Sequence, residues 1–510
     1  MPYPTKWTSG MLISGSDWND LRLYGAADYI VFSESGNYYA YGKFSGSTDY
    51  SGVDASAVIQ AAGNALTGSG GLIHIKTGSY ILPTKLSFYA NNLKIEGEGD
   101  ATTLVPPTND YAIEMGGYDK ERSYCKILNL CIQPSTAGAG KGIHFIRTAY
   151  SQIDKVSFTN CSGSLKMNYS YKPLITDCQF RGFRGIGIEL ATSGSDTIGD
   201  QTINNCYLTN LVAGHNATAI QSNENVNGVF ITNCLITGHG VEKGVYISGS
   251  WSGGWMNNVV VDSITGSGFV FHHSNGHGTL FYQLVNCWAQ SCLNTGIIIS
   301  GSSAYPNETI IIDNSIFDSN RLQNVYVYHG KTISFNNCRI GDCSDSILGA
   351  DVEFDQTEDS SITNSYVTAT NSRGIRIDNS TGSIISNNRI QSPNDYGIHI
   401  ISGSYCNISG NKLKSIYGIT LYNNGVGCTI HGNTILSSGS KGISIGTGSS
   451  HNIVSDNFIS GSSDKAIDIA DASCVKNMVI GNRIIEASGT TAIYDGGTNT
   501  TVANNSSGSS

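Results

Sequence analysis

The chain has 510 residues, carries a formal net charge of −10 and contains only 13% charged residues. This acidic balance, and the lack of any run of Lys and Arg, exclude a nucleic-acid partner. No apolar run approaches the roughly 20 residues needed to cross a bilayer, so we expect no membrane partner. The residues after Met1 lack the apolar segment of a signal peptide, so none is visible.

Residues 1–50 predict a small hairpin. Two alternating runs, Tyr29–Phe32 and Tyr38–Tyr41, flank the polar stretch Glu34–Asn37. Such a pair of runs around a polar turn is typical of a β-hairpin. We interpret residues 1–50 as an antiparallel attachment to the domain that follows.

The next segment predicts a helix. Apolar residues recur at helical spacing between Asp54 and Leu66, and a glycine-rich strand phrase over residues 70–82 follows them. An amphipathic helix here would cover the open end of a stacked core and prevent further strands from adding to it. We therefore expect a capping helix at residues 55–66.

Farther along, a four-residue phrase recurs every 22 to 28 residues wherever its series is unbroken. It consists of an apolar residue, any residue, then Asn, Asp or Gly, then Cys, Ser or Asn. Self-similarity at this period indicates a solenoid, in which each coil buries its apolar face only against its neighbours. Clear copies begin at Ile175, Ile203, Ile231, Leu284, Phe335, Ile362, Ile385, Ile408, Ile430, Val454 and Val479.

A second phrase, Gly-apolar-x-apolar, lies between copies of the first, as in Gly187–Leu190 and Gly374–Ile377. This alternation predicts strands whose x residue faces outward. Because successive turns stack about 4.8 Å apart, the x residues form a column along one sheet, which we call the outward column. It reads His144, Lys166, Glu189, Gln221, Tyr246, Val270, Ile298, Tyr326, Arg376, His399, Thr420, Ser444, Asp468 and Tyr494.

The fourth position of the first phrase predicts small buried residues at a bend. Asn can hydrogen-bond there to the next Asn and to the bend backbone, and Cys fits as a small hydrophobe. The chain has an odd number of cysteines, 13, so we expect free thiols rather than a disulfide framework. Five of them lie in this column: Cys178, Cys206, Cys234, Cys287 and Cys338.

Together with the helix and the glycine phrases, the two repeats resemble the right-handed parallel β-helix of the pectate lyase superfamily, which includes polysaccharide lyases, uronan epimerases, glycoside hydrolases and phage tailspikes. The resemblance implies an all-β fold, a single-stranded right-handed parallel β-helix solenoid of about 14–16 coils with an N-terminal capping helix. The β-helix would occupy residues 51–505, followed by a disordered tail at 506–510. It also implies a polysaccharide partner, an extracellular or virion-surface location, and a monomer or homotrimer.

The N-terminal part of the outward column holds the candidate catalytic residues. His144, Lys166 and Glu189 follow one another on consecutive coils, and Tyr169 and Tyr171 come just after the middle strand. Removing the proton next to a uronate carboxylate needs a cation, a base and an acid. In this hypothesis Lys166 neutralises the carboxylate, His144 is the base and one tyrosine is the acid. The alternative is an ion-pair stripe on a polar sheet.

The longest coils hold the candidate substrate-binding residues. Aromatic and His side chains gather there, and aromatic faces stack on sugar rings. The alternative is a bulky loop packed on its neighbours. The spacing of the His residues is unlike that of a zinc site, so we predict no metal ligands. The predicted set is Tyr246, Trp251, Trp255, His272, His273, His277, Tyr282 and Tyr326.

The acidic stretch Asp351–Asp359 offers oxygen ligands that suit Ca²⁺, but a solvated face is the better interpretation, so we expect no cofactor. The predicted function is elimination or C5 epimerisation of a uronan. One alternative is a glycoside hydrolase, which needs two carboxylates about 5–9.5 Å apart; the outward column shows no such partner near Glu189. The other alternative is a non-catalytic, glycan-binding tailspike or adhesin.

Overall fold

The computed structural model describes residues 27–192, 198–223, 226–249, 252–273, 280–343, 349–370, 372–436, 439–486 and 491–509. The chain divides into two units, Met1–Phe230 and Ile231–Ser510. Both are parallel β-solenoids, with about 16 turns in all, which confirms the predicted all-β fold. Within the ranges given, no helix has the length and apolar character to cross a membrane.

Unit 1 opens with the predicted hairpin. Strands Tyr29–Glu34 and Asn37–Gly42 pair antiparallel, and Ser47–Gly52 adds a third antiparallel strand. The predicted helix spans Ala55–Ala65 and is capped by Asp54, whose carboxylate accepts hydrogen bonds from the first backbone amides. Gly63 lets the helix approach the core, because a Cβ there would overlap the ring of Phe88.

The remaining strands stack in three parallel sheets in each unit. We call sheet 1 the sheet of the Gly-apolar-x-apolar strands, and sheets 2 and 3 those before and after the bend of the first phrase. In unit 1, sheet 1 contains Leu86–Phe88, Tyr111–Gly116, Lys141–Ile146, Leu165–Asn168, Ile186–Ala191 and Ala217–Ser222. Sheets 2 and 3 contain Gly71–Ile75, Gly78–Ile81, Leu93–Val105, Lys126–Ile132, Gln152–Thr159, Leu174–Thr176, Gln179–Arg181, Ile198–Asn204, Tyr207–Thr209 and, at the unit boundary, Val226–Thr232. A short pair joins Arg122–Ser123 and Thr148–Ala149.

In unit 2, sheet 1 contains Val241–Ser248, Ser267–His272, Ile297–Ser300, Val325–Tyr328, Ala350–Asp355, Arg373–Asp378, Ile443–Ile445, Lys465–Ile469 and Thr491–Asp495. Two long strands, Arg389–Ile401 and Lys412–Tyr422, run from sheet 3 into sheet 1. Sheets 2 and 3 contain Leu235–Thr237, Ser252–Asn257, Val260–Asp262, Leu280–Val285, Trp288–Gln290, Ile310–Asp313, Ile316–Asp318, Ser334–Asn336, Arg339–Gly341, Ser361–Thr363, Tyr366–Thr368, Ile384–Ser386, Asn407–Ser409, Thr429–His431, Thr434–Leu436, Ile453–Ser455, Phe458–Ser460, Met478–Ile480, Arg483–Glu486, Thr501–Ala503 and Ser506–Ser509. A short pair joins Asn307–Glu308 and Gly330–Lys331.

The bend between sheets 2 and 3 carries a ladder of buried side chains in unit 2. Asn411 Nδ2 donates to Asn433 Oδ1 (2.9 Å) on the next turn and to the Ile385 carbonyl (2.8 Å) on the previous one, and Asn433 repeats this pattern with Asn457 and Ile408. The residue before each rung adopts positive φ, which Asn, Asp and Gly tolerate best. These contacts confirm the predicted Asn column.

The thirteen cysteines are all free and buried, as predicted. Several lie in the ladder: the Cys338 amide, for example, donates to Ser365 Oγ (3.0 Å) on the next turn. Burial raises the pKa of the Cys287 and Cys292 thiols to about 12, so they stay protonated and unreactive. The last described residues, Ser506–Ser509, for which the sequence predicts a disordered tail, pair in register with Arg483–Glu486.

A carboxylate lies within the core of unit 2. Asp351 is fully buried on strand Ala350–Asp355 and accepts hydrogen bonds from Asn324 Nδ2 (2.6 Å), the Cys343 amide (2.9 Å) and Ser372 Oγ (3.1 Å). Burial nonetheless raises its pKa from 3.8 to about 6. Only the end of the acidic stretch is a solvated face, because Asp351 and Glu353 are buried whereas Glu358 and Asp359 are exposed.

The ladder predicts a large cost for removing one rung. Asn433→Ala leaves the Ile408 carbonyl and the Asn411 amide without partners inside the core, and we expect a loss of about 2–4 kcal/mol in unfolding free energy. Asn407→Ala, at an exposed position of the preceding turn, should change it by less than about 0.5 kcal/mol. Urea unfolding followed by circular dichroism measures both; equal effects would contradict the ladder's role.

Asp351 predicts a pH-dependent stability difference. Because its folded-state pKa is raised, the folded chain holds the proton more tightly than the unfolded chain, so stability falls as pH rises from about 4 to 6. Asp351→Asn should therefore be more stable than wild type at pH about 8, by roughly 3 kcal/mol or less, and the difference should shrink near pH about 4. Melting temperatures of both proteins, measured across this pH range, test the prediction. A stability difference that does not change with pH would contradict the raised pKa of Asp351.

Candidate functional site

Strand register places the predicted catalytic residues of unit 1 side by side. His144 pairs with Lys166 and Lys166 with Glu189, on consecutive strands of sheet 1. The Lys166 ammonium donates to Glu189 Oε1 at 3.0 Å, so each charge already has a partner within the protein. His144 is buried and its Nδ1 lies 3.5 Å from Glu114 Oε2. The outward column thus exists as predicted, but its cation is engaged by a neighbouring carboxylate.

Glu114 belongs to the same cluster although sequence reasoning missed it. It pairs in register with His144, and its carboxylate also accepts from Lys85 Nζ at 2.9 Å. Hydrogen bonding to His144, and then to Lys85, lowers the pKa of Glu114 despite burial. The alternation Ile-Glu-Met in strand Tyr111–Gly116 could have indicated that Glu114 faces outward. This strand lacks the Gly that begins the other Gly-apolar-x-apolar phrases.

The two predicted tyrosines lie at bends beyond these strands. The Tyr169 ring meets Tyr118 edge-on at 6.3 Å between centroids. The Tyr171 ring is close to Tyr150, with Lys172 Nζ 5.1 Å from its centroid. These ring contacts do not involve His144 or Lys166, so the acid role of the two tyrosines stays a hypothesis.

The structure separates the predicted substrate-binding residues. Tyr246, His272 and Tyr326 lie on strands of sheet 1, whereas Trp255, which is 41% exposed, pairs with Gln283 in sheet 2. Trp255 therefore faces a different side of its turn from the outward column. Trp251 and His277 lie outside the described residues.

Two predicted binding residues are buried, which corrects the prediction. Tyr282 lies in the core against Phe271, with ring centroids 5.1 Å apart. Its strand, Leu280–Val285, alternates so that Tyr282 and Leu284 face inward. His273 is also buried, and its Nδ1 donates to the Pro306 carbonyl at 3.2 Å. Neither side chain is available to a sugar.

Unit 2 contains a cluster that sequence reasoning did not assemble. Glu353 and Asp355 lie two residues apart on one strand of sheet 1, and Asp355 pairs in register with Asp378 on the next strand. Arg376 bridges the group: Nη1 lies 3.1 Å from Glu353 Oε1 and Nη2 lies 2.6 Å from Asp378 Oδ2. We call Glu353, Asp355, Asp378 and Arg376 the carboxylate cluster.

The acids of this cluster differ in their electrostatics. Burial raises the pKa of Glu353, although Arg376 opposes the shift. Burial, and then the neighbouring Asp378 carboxylate, raise the pKa of Asp355. Asp378 instead contacts the guanidinium directly and also accepts from Asn379 Nδ2 at 3.0 Å. Of the two aspartates, Asp355 is thus the one whose protonated form is favoured by burial, and it lies beside a carboxylate that is paired with Arg376.

Aromatic side chains flank the carboxylate cluster on the adjacent strands. On the preceding strand of sheet 1, Tyr326 pairs in register with Glu353 and Tyr328 with Asp355. The two tyrosine rings are parallel, with centroids 6.4 Å apart. Burial, and then the Asp355 and Glu353 carboxylates, raise the pKa of Tyr326 to about 12, so its phenol stays protonated. On the other side lies His399, next to Arg376 in register.

His399 completes the surroundings of the cluster. Its ring stacks on Tyr396 with centroids 4.4 Å apart. Burial, and then the guanidinium groups of Arg373 and Arg376, lower its pKa to about 4, so the imidazole is neutral near pH 7. Its Nδ1 is buried with no hydrogen-bond partner in the described part of the chain. Nowhere in that part do three or more His, Cys, Asp or Glu residues converge as metal ligands.

The family model "Right handed beta helix region" matches residues 107–265, 267–435 and 352–507, which is more than half of the chain. The chain belongs to this family. The turns of both units are therefore those of a right-handed β-helix. None of the curated proteins compared with it matches the sequence of this β-helix.

Solved structures similar to this β-helix share little sequence with it. DFA-IIIase from Arthrobacter chlorophenolicus A6 in complex with GF2 is 14% identical, with a TM-score of 0.41, over 67% of this chain and 91% of that one. Tailspike protein 3 of bacteriophage CBA120 is 12% identical, with a TM-score of 0.39, over 95% and 65%. The A-module of the mannuronan C-5 epimerase AlgE6 from Azotobacter vinelandii is 13% identical, with a TM-score of 0.31, over 89% and 95%.

The cluster's electrostatics predict a shift that can be measured directly. Asp378→Asn removes a negative charge beside Asp355, so the pKa of Asp355 should fall toward its ordinary value. Carboxyl-carbon NMR titration of aspartate-labelled protein follows this change. Asp318→Asn, which removes a carboxylate paired with Arg339 in sheet 3, should leave Asp355 unaltered. An unmoved Asp355 titration in Asp378→Asn would contradict the coupling.

Proposed function

We propose that this β-helix hydrolyses glycosidic bonds of a polysaccharide at the carboxylate cluster of unit 2. The observation that carries the proposal is the pairing of Asp355, whose pKa is raised, with Asp378, which is ion-paired to Arg376. Glycoside hydrolysis needs one carboxyl that gives a proton and one carboxylate that acts as base or nucleophile. Side chains on neighbouring parallel strands are about 4.8 Å apart at the backbone, within reach of the separations such enzymes use.

Each member of the cluster has a defined part in this reaction. Asp355 gives its proton to the glycosidic oxygen as the C1–O bond breaks, so the leaving group departs as an alcohol. Asp378, as a carboxylate, activates a water or attacks C1, and the net change is addition of water across the bond. Arg376 holds Asp378 in place through their 2.6 Å contact.

The flanking aromatic residues support a sugar as the ligand. The parallel rings of Tyr326 and Tyr328 offer apolar contact area on the strand before the two acids. Glu353 accepts from Gln323 Nε2 at 3.3 Å and contacts Arg376, which orients it toward the same face of sheet 1. Gly349 leaves room for this carboxylate beside the backbone, because a Cβ there would lie only 3.0 Å from Glu353 Oε2.

Hydrolysis at this cluster is better supported than uronan elimination or epimerisation in unit 1. Proton abstraction next to a carboxylate requires a cation free to neutralise the growing charge. Lys166 is instead paired with Glu189 at 3.0 Å, and His144 faces the Glu114 carboxylate. A uronate would have to displace a protein carboxylate from Lys166 before the reaction began.

A product assay with matched variants tests the proposal. Purified protein is incubated with neutral polysaccharides and with uronans, and products are followed as new reducing ends, as ultraviolet absorbance of unsaturated sugars, and by NMR. We expect reducing ends without unsaturated sugars. Asp355→Asn and Asp378→Asn should each lower kcat by about a hundredfold to ten-thousandfold, the usual contribution of a general acid or base. Asp318→Asn should leave kcat unchanged.

The other outcomes identify the competing functions. Unsaturated or epimerised products that disappear in Lys166→Ala but persist in Asp355→Asn would overturn the proposal and move the chemistry to unit 1. Retention of a polysaccharide without any product would indicate the non-catalytic glycan-binding function instead.

A further inference from the structure

Unit 1 has an open cleft on sheet 1, separate from the carboxylate cluster. Its volume is about 590 Å³, enough to enclose one or two sugar rings. The cleft is formed where the bends after strands Leu86–Phe88 and Tyr111–Gly116 rise beside the outward column. Its lining consists of Lys85, Tyr89, Glu114, Gly117, Tyr118, Asp119, Arg122 and Ile146.

A buried arginine fixes the two bends that wall the cleft. Arg122 is only 4% exposed, and its Nε donates to the Tyr89 carbonyl at 2.8 Å. Its Nη1 donates to the carbonyls of Lys120 (3.3 Å) and Glu121 (3.4 Å), while Nη2 pairs with Asp119 Oδ2 at 3.3 Å. One guanidinium thus ties both bends together, so the walls are in place before a ligand arrives.

The bends present two tyrosine rings to solvent. Tyr89 is 49% exposed and Tyr118 is 59% exposed, although both have anchored backbones. Arg147 Nη1 donates to the Tyr118 carbonyl at 2.9 Å, and Asn168 Nδ2 donates to its hydroxyl at 3.1 Å. A Cβ on Gly117 would lie 3.0 Å from the Tyr89 ring, so glycine permits that ring to lie close to the bend. Exposed, preorganised aromatic rings are the surface that sugar faces bind.

The charges of the cleft balance, which defines the ligand class. Lys85 and Arg122 carry positive charges, and each is paired within the protein, with Glu114 at 2.9 Å and with Asp119 at 3.3 Å. A uronate would find no free cation among the lining residues and would meet two carboxylates. A neutral sugar, in contrast, can use these paired groups as hydrogen-bond donors and acceptors for its hydroxyls.

We propose that the cleft of unit 1 is a non-catalytic binding site for a neutral glycan, in which Tyr89 and Tyr118 contact the sugar and Arg122 positions both tyrosines. This site is distinct from the hydrolytic site proposed for unit 2. Its lining contains no pair of carboxylates in register on adjacent strands, and binding a glycan does not require such a pair. Its role is to retain a polysaccharide chain on the protein between cleavage events.

Affinity electrophoresis through gels that contain galactomannan, xyloglucan, arabinan or polygalacturonate tests this site. Asp355→Asn serves as the parent protein, so that bound polymer is not degraded and binding is scored whether or not unit 2 is catalytic. We expect at least one neutral polymer to retard the parent. Tyr118→Ala and Tyr89→Ala should each weaken that binding roughly tenfold, while Tyr118→Phe, which keeps the ring, should retain most of it.

The controls separate the site from general effects on the fold. Tyr405→Ala removes a tyrosine that is 69% exposed outside the cleft and should leave retardation unchanged. Arg122→Lys keeps the charge but loses the multiple carbonyl contacts, so it should weaken binding in the same way as the tyrosine variants. The proposal is overturned if no neutral polymer retards the parent, if only polygalacturonate does, or if both tyrosine-to-alanine variants bind like the parent.

Discussion

The hydrogen-bonded bend between sheets 2 and 3 is the constraint on which the rest of the structure depends. Each rung of the ladder closes a two-residue corner and is bonded to the turns on either side of it. Asn433, for example, is bonded to Ile408 on one turn and to Asn457 on the next. The amide of each Asn finds its hydrogen-bond partners only when neighbouring turns are in register. A shift of one residue would break these bonds and would move every inward side chain to the surface, so the ladder disfavours it. The alternation of apolar and polar residues then needs only to follow that register.

This register also creates the candidate site. Residues about one turn apart in sequence become neighbours across a sheet, so Glu353 meets Arg376 and Asp355 meets Asp378 without any loop to bring them together. The apolar layer beneath sheet 1 removes water from one side of these groups. The same burial that excludes water raises the pKa of Glu353 and Asp355, while the guanidinium of Arg376 pairs with the Asp378 carboxylate beside them. A rigid sheet with acids in two electrostatic states is suited to hydrolysis, in which one acid must hold a proton and the other must not.

The sequence predicts most of the fold because its period is visible over most of the turns. The ladder phrase locates the bends, and the glycine phrase locates sheet 1 wherever the glycine is present. Glu114 and Glu353 were not assigned to the outward column because Ala112 and Asp351 occupy the positions where the glycine of the phrase is expected. Tyr282 and His273 were misplaced for a different reason. Whether an aromatic residue near a long coil faces the core depends on where its strand begins, and the sequence of a long coil leaves this open. The interpretation of Asp351–Asp359 as a solvated face holds only for its end, because its first residues form a strand of sheet 1 in which Asp351 and Glu353 are buried.

Hydrolysis at the carboxylate cluster is the central claim, and the position of a bound sugar tests it most directly. The decisive measurement is a crystal structure of the Asp355→Asn variant with an oligosaccharide of the polymer that the protein retains or cleaves. We predict a glycosidic oxygen within about 2.6–3.2 Å of the residue 355 side chain, with an adjoining sugar ring against Tyr326 or Tyr328. An oligosaccharide ordered elsewhere on the protein, with the carboxylate cluster empty at saturating ligand, would contradict the account.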